Sequence, residues 1–193
     1  MADRFKTYAE FVKKTREGVD WRATPYERQS NILVAAPHAG RAEPYTGQIA
    51  KAIAGAAYSL YLFETLSAGL HVTSHRFQEP RALDLASRHS KVLTIHGCDN
   101  RRSASCDVFV GGLDKDLCNA VMTELRRAGF GVAVDRWTPG KQTLNICNRG
   151  SSGVGVQLEI NRRLRNRLGC RENALLLRKF ARAVRRAIKN STA

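Results

Sequence analysis

The feature that most constrains this chain is the recurrence of short apolar runs, separated by segments with a helical period. "NILVAA" (31–36), "SLYLF" (59–63), "KVLTI" (91–95), "DVFV" (107–110) and "GVGVQLEI" (153–160) are short and almost uniformly apolar. That is the pattern of strands buried on both faces. Between them lie amphipathic helix patterns. One covers 46–57, with Thr46 as N-cap and Ile49, Ala50 and Ile53 facing inward; another runs from Glu79 to His89 and is entered through Pro80. A third is opened by Asp114, runs to Arg127 and is closed by Gly129. Strands alternating with helices bury their apolar surface by layering, so the pattern predicts an α/β domain. Leu70–Thr73 and Gly131–Val134 are further strand candidates. Residues 3–17 predict a first helix with Phe5, Tyr8, Ala9 and Val12 on one face. Neither repeats nor low-complexity linkers appear in the 193 residues, so one domain over 1–193 is the expectation.

Charge is the unusual part of the composition. Lys and Arg number 32 against 17 Asp and Glu, a net charge of +15. Such a field attracts polyanions and speeds their encounter, but nucleic acid and an acidic polypeptide answer to it equally. Much of it sits in "NRRLRNRLGCR" (161–171) and in a terminal helix expected over 171–189. In that helix Leu176, Phe180, Val184 and Ile188 form an apolar stripe, with Arg178, Arg182, Arg185 and Lys189 opposite. A solvated face and a polyanion-binding face both fit this pattern. No helix-turn-helix or stacking-aromatic signature supports nucleic acid as the partner. The five cysteines, Cys98, Cys106, Cys118, Cys147 and Cys170, never form a CxxC pair, which argues for reduced thiols and against a cysteine zinc site. No apolar run reaches the roughly 20 residues that span a bilayer, and "MADRFKTYAEFVKKTREG" carries no apolar signal core. The expectation is a cytoplasmic monomer with no membrane partner.

Chemistry concentrates where strands end. "ILVAAPH" ends at His38, and Glu43 follows five positions on; "KVLTIHG" ends at His96, with Gly97 free to turn. In the last strand Val154, Val156, Leu158 and Ile160 share one face, so Gln157 and Glu159 point to the other. A carboxylate in a buried sheet is costly unless a charge or a metal compensates it. Groups at the carboxyl ends of parallel strands converge on one crevice. Two imidazoles and a carboxylate, with one position left to water, are a ligand set of hydrolytic zinc sites. A second carboxylate then serves as proton acceptor, a role that suits Glu159, and Arg149 suits a substrate carboxylate or a developing oxyanion. Spacing alone leaves a structural role open for each histidine. His89, at a helix end, reads as a surface residue.

The order of blocks is more specific. "NILVAAPHAGRAEPYTGQIAKAIAG", "LYLFETL", "LHVTSHRFQEP", "KVLTIHG", "VFVGGLD" and "NICNRGSSGVGVQLEI" resemble successive blocks of the poly-γ-glutamate hydrolase family, phage and bacterial zinc peptidases related in fold to carboxypeptidases. The resemblance runs from about Gly18 to Arg167. It implies a three-layer α/β/α fold with a mixed, mostly parallel sheet, one zinc ion, and cleavage of γ-glutamyl amide bonds in a polyanionic glutamate polymer. It places the metal on His38, Glu43 and His96, makes Glu159 the general base, and sets Arg149 after the family's second Asn, here Asn148. His71 in the "LHVTSH" block, Asn148, and Arg41 beside the metal block are the substrate-binding candidates; His75, four positions after His71, has the spacing of a substitute ligand but is not placed in the ligand set. The chain departs from the family's pattern in "HAGRAE", where "HGG" is usual, and in "FQEP", where Gln78 replaces an acid.

Overall fold

The apolar runs fold as strands of one seven-stranded sheet. The computed structural model describes residues 5–67, 69–100 and 106–192. In chain order its elements are α1 (Tyr8–Lys14), β1 (Trp21–Tyr26), β2 (Ile32–Gly40), α2 (Thr46–Ala54), β3 (Ser59–Thr65), α3 (Pro80–Ser87), β4 (Lys91–Cys98), β5 (Val108–Gly112), α4 (Lys115–Arg127), β6 (Val132–Val134), β7 (Val156–Asn161), α5 (Arg162–Gly169) and α6 (Ala174–Thr192). Single 3₁₀ turns cover Ile146–Asn148 and Arg171–Asn173. The strand order is β1-β3-β2-β4-β7-β5-β6. Strands β3, β2, β4 and β7 run parallel. Strand β5 is antiparallel to β7 and parallel to β6, and β1 is antiparallel to β3. The sheet is therefore mixed and mostly parallel, as expected.

Side-chain alternation divides the inner strands between two cores. Val34, Ala36, Leu60, Leu62, Leu93, Ile95, Leu158 and Ile160 pack with residues of α2, α4, α5 and α6. Leu33, Ala35, Tyr61, Phe63 and Val92 pack with α1, α3 and the loop before α3. Three layers result. Phe180, Val184 and Ile188 of α6 are fully buried, each contributing about 1.5–3 kcal/mol.

Several local expectations change. The first helix starts at Tyr8 behind the N-cap Thr7, so Phe11 faces Trp21 and Phe63 while Ala9 and Val12 face solvent. Residues 3 and 4 of that expected helix lie outside the described residues. Leu70–Thr73 is irregular rather than a strand; Leu70 and Val72 are buried as anchors of the second core. The edge strand β1 carries no alternating apolar signal, and an edge is where its Pro25 is tolerated. The N-cap of α2 is Tyr45, in the left-handed conformation, rather than Thr46, whose hydroxyl donates to the Glu43 carbonyl. The terminal helix starts at Ala174, behind the 3₁₀ turn over Arg171–Asn173, and runs to Thr192, while the extended Cys170 separates it from a further helix, α5. Arg185 leaves the solvent face and donates to the carbonyls of Ala52 and Ile53 at the C-terminal end of α2, where a cation is favoured. His89 is buried and bonded through Nδ1 to the Leu85 carbonyl, because the end of α3 turns inward onto β4.

Candidate metal centre and active site

A bulge in β2 creates the site. Ala36 pairs with Leu62 and Ala39 with Glu64, so three steps along β2 match two along β3. The extra residue falls at Pro37-His38, where proline has no N–H to give the ladder. Ala36 and Ala39 consequently both face the first core. His38, which unbroken alternation would send into that core, turns to the opposite side. There it meets Phe77 at a ring separation of 6.1 Å, His71 at 4.1 Å and His96 at 4.9 Å.

Glu43 and His96 close on it. The Glu43 amide donates to the His38 carbonyl (2.9 Å), which fixes the loop, and Glu43 Oε2 accepts from the Gly97 amide (2.8 Å). Glu43 Oε1 lies 3.0 Å from His38 Nδ1, and Oε2 lies 3.6 Å from His96 Nδ1. The two histidine Nδ1 atoms are 3.1 Å apart. His38 Nε2 is 2.8 Å from the Val72 carbonyl, an acceptor only, so Nε2 carries the proton and Nδ1 presents a lone pair. Burial, joined by neighbouring His71, pushes His38 down to about 4 against the pull of Glu43, so the ring is neutral at physiological pH. Burial works to raise Glu43, but His38 first, with His71 and His96, holds it ionised well below the usual carboxylate range. Burial also opposes charge on His96, and Glu43, with Glu159 beyond it, more than offsets this and moves His96 up.

A lone pair and a carboxylate oxygen 3.0 Å apart repel unless they share a cation. Donors about 2.0–2.1 Å from a tetrahedral zinc ion lie about 3.3 Å from one another. The separations of 3.0, 3.1 and 3.6 Å bracket that value. The residues present therefore fit a divalent metal, and their imidazole and carboxylate donors suit zinc. His71 competes with His96 for the third place: donors of His38, Glu43 and His71 all lie within 4.8 Å of one another, and His71 Nε2 is 3.8 Å from Glu43 Oε1. His96 brings its Nδ1 to 3.1 Å from His38 Nδ1 and 3.6 Å from Glu43 Oε2, and its side chain is 1% exposed, whereas the His71 ring lies nearer that of His38 and its side chain is 33% exposed.

Glu159 stands beside His96. The two are register partners on the parallel strands β4 and β7, so their side chains share a face. Leu158 and Ile160 face the first core, as the alternation predicts, and Glu159 and Gln157 line a pocket of about 710 Å³ with His38, Glu43, His71 and His96. Gln157 is held by Asn145 and the Thr138 carbonyl, and its amide reaches Glu159 Oε1 at 3.3 Å. Beneath these strand ends lies Arg165 of α5, 5% exposed. Its guanidinium donates to the carbonyls of Ile160 (3.0 Å) and Pro44 (2.9 Å) and approaches that of Cys98 (3.4 Å). Those carbonyls directly follow Glu159 and Glu43 and lie two residues beyond His96. A Cβ on Gly97 would sit 2.4 Å from Arg165 Cζ, so glycine is required there to admit the clamp.

Three sequence candidates lie elsewhere. The loop holding Arg149 packs against the start of β4: Ser151 donates to the His89 carbonyl, and a Cβ on Gly150 would meet His89 and Ser90 carbonyls. His96 is at the far end of the same strand, so Arg149 is outside the pocket. Asn148 is buried and spends its amide on the carbonyls of Gly140 and Gln142 and its oxygen on the Gly155 amide. It shapes the pocket loop rather than facing the pocket. Arg41 is exposed and tied through its backbone to Thr65, on the side of β2 away from His96. Glu79 of the "FQEP" block is the N-cap of α3 and the acceptor of the Tyr61 hydroxyl. The loop residues Trp137, Thr138, Lys141 and Gln142 also line the pocket, and no periodicity or spacing marks them in advance.

Comparison with known proteins supplies the family. A family model for poly-gamma-glutamate hydrolase matches residues 5–179. The chain belongs to that family. Its fold matches a bacteriophage poly-gamma-glutamate hydrolase with a TM-score of 0.90 at 28% identity, covering 98% of each chain. It matches a zinc-free apo form of YndL with a TM-score of 0.86 at 30% identity, again over 98% of each. The SPbeta prophage-derived UPF0714 protein YoqZ of Bacillus subtilis strain 168 is 33% identical over 167 residues, 83% of this chain and 59% of YoqZ. The chain thus spans about three-fifths of the length of that relative. An N-formylglutamate amidohydrolase from Ralstonia eutropha JMP134, 14% identical with a TM-score of 0.63, shares the fold. Among the described residues no helix is long and apolar enough to cross a membrane.

Proposed function

We propose that this family member hydrolyses γ-glutamyl amide bonds in poly-γ-glutamate or a related polyanionic peptide, with one zinc ion held by His38, Glu43 and His96. The observation that carries the reading is the neutral His38 Nδ1 lone pair set against an ionised Glu43 oxygen at 3.0 Å, with His96 Nδ1 beside them. Bound zinc supplies Lewis acidity and a water whose pKa falls toward 7. The chain's own residues supply the rest. Val72 fixes the tautomer of His38, and the Gly97 amide leaves Glu43 Oε1 free to face the imidazole. Glu159, the register partner of His96 in the pocket lining, accepts a proton from the attacking water and returns it to the leaving amine. With Arg149, Arg41 and Asn148 outside the lining, Lys141 is, among the described residues, the lysine or arginine placed to receive a substrate carboxylate, and His71 stands with it. The net charge of +15 draws an anionic polymer toward the pocket.

The test is metal content together with polymer size. Purified protein should hold one equivalent of zinc and shorten poly-γ-glutamate, and chelator should stop this. Glu159→Gln should keep its zinc and lose about 10²–10⁴-fold in kcat. His96→Ala should lose zinc while His71→Ala retains it. Full activity in zinc-free protein would overturn the reading.

A further inference from the structure

On the layer opposite the catalytic pocket, α4 and α6 leave a groove of about 500 Å³ lined by Arg127, Arg178, Lys179, Arg182 and Arg186, floored by Ala128 and Leu175. Its acid supply is small. Glu124 is shared by Arg127 (2.8 Å) and Arg186 (2.9 Å), while Arg178, Lys179 and Arg182 have no acidic partner among the described residues. Arg178, Arg182 and Arg186 repeat at four-residue intervals along α6, a like-charge spacing that costs helix stability. Leu175 is 75% exposed at the same place, an apolar side chain left open among cations.

We propose that this groove is an exosite for the anionic substrate chain, holding γ-linked glutamate units remote from the scissile bond. The inference rests on the substrate class proposed above. A γ-linked unit has five backbone bonds where an α-peptide has three, so its repeat is about 6 Å against about 3.6 Å. Four residues of helix rise about 6 Å, so successive arginines of the row meet successive α-carboxylates. Each γ-linked unit also places two methylenes in its main chain, and Leu175 and Ala128 give them an apolar floor. Nucleic acid fits less well, because no aromatic side chain lines the groove for a base to stack on. The groove and the pocket lie on opposite faces of the sheet, so one chain must round the molecule to occupy both. A half-turn about a domain of this size, of radius about 20 Å, is about 60 Å, or on the order of ten γ-linked units.

The experiment compares the full chain with the triple variant Arg178→Gln/Lys179→Gln/Arg182→Gln. Substrates are poly-γ-glutamate of several hundred units and a five-unit oligomer, at low and high salt. On the long polymer KM should rise about ten-fold in the variant at low salt, and the difference should shrink at high salt. On the oligomer kcat/KM should agree within two-fold. Binding is read independently of catalysis, by fluorescence anisotropy of labelled long polymer on Glu159→Gln with and without the triple change. An equal loss on both substrates, no loss on either, or unchanged anisotropy overturns the exosite. Single-stranded DNA of matched charge that binds more tightly than the polymer, and is lost with the same changes, also overturns it in favour of a nucleic-acid surface. If wild-type protein cleaves neither substrate, the proposed function fails, and anisotropy alone still decides whether the groove takes the polymer.

Discussion

Replacing Arg165 by alanine tests whether the strand ends at the site are held by one clamp. The bonds to the Ile160 and Pro44 carbonyls, at 3.0 and 2.9 Å, are full-strength, whereas the Cys98 contact at 3.4 Å contributes little. A charged donor is worth about 1.5–3 kcal/mol per hydrogen bond, so the two good bonds represent about 3–6 kcal/mol. Releasing a buried guanidinium returns part of this, leaving a net loss of about 2–4 kcal/mol. For a chain of this size Tm should fall by about 5–15 °C, and urea titration should give the same free energy. Zinc affinity should weaken about ten-fold or more, because Glu43 and His96 lose their shared anchor. Gly97 supplies an internal control. Alanine there would crowd Arg165 Cζ at 2.4 Å, so Gly97→Ala should be costly in wild type and much cheaper beside Arg165→Ala. Additivity of the two changes within about 0.5 kcal/mol, or an Arg165→Ala protein as stable as wild type, would refute the reasoning.

Arg149→Ala should leave kcat/KM within about two-fold, because that loop packs at the far end of β4; a hundred-fold loss measured on the polymer would return Arg149 to the reaction. Tyr61→Phe should lower Tm by about 3–10 °C, since it removes a buried 2.6 Å bond to the ionisable Glu79, worth about 1.5–3 kcal/mol, and an unchanged melting curve would count against this. Metal-free protein should lose stability as pH falls from about 6.5 to 4. His38 titrates at about 4 when folded and about 6.5 when unfolded, so the unfolded chain binds the extra proton in that window, a difference of about 3 kcal/mol. His96, moved up, acts in the opposite sense: its contribution is present below about 6.5 and disappears as pH rises through its folded value. Denaturation of chelator-treated protein should therefore show a slope over that range which His38→Gln flattens, and equal slopes would refute the assignment.

What the sequence alone determined is what short-range periodicity can encode. Near-continuous short runs such as "KVLTI" suit strands buried on both faces, and alternation in "GVGVQLEI" places Glu159 opposite Leu158 and Ile160. His38, Glu43, His96 and Glu159 were legible because each lies on or just beyond such a run. Leu70–Thr73 misled, since an apolar pair in a buried loop has the same composition as a short strand. Only the tertiary structure decided which side of the sheet His38 serves, because a one-residue bulge reverses every side chain beyond it and is visible only in the pairing of β2 with β3. It likewise decided that Arg149 lies at the wrong end of a strand, and that Arg165, 121 residues from Pro44, ties that loop in place. Contacts between distant segments depend on register across the whole sheet, and no local pattern carries that information.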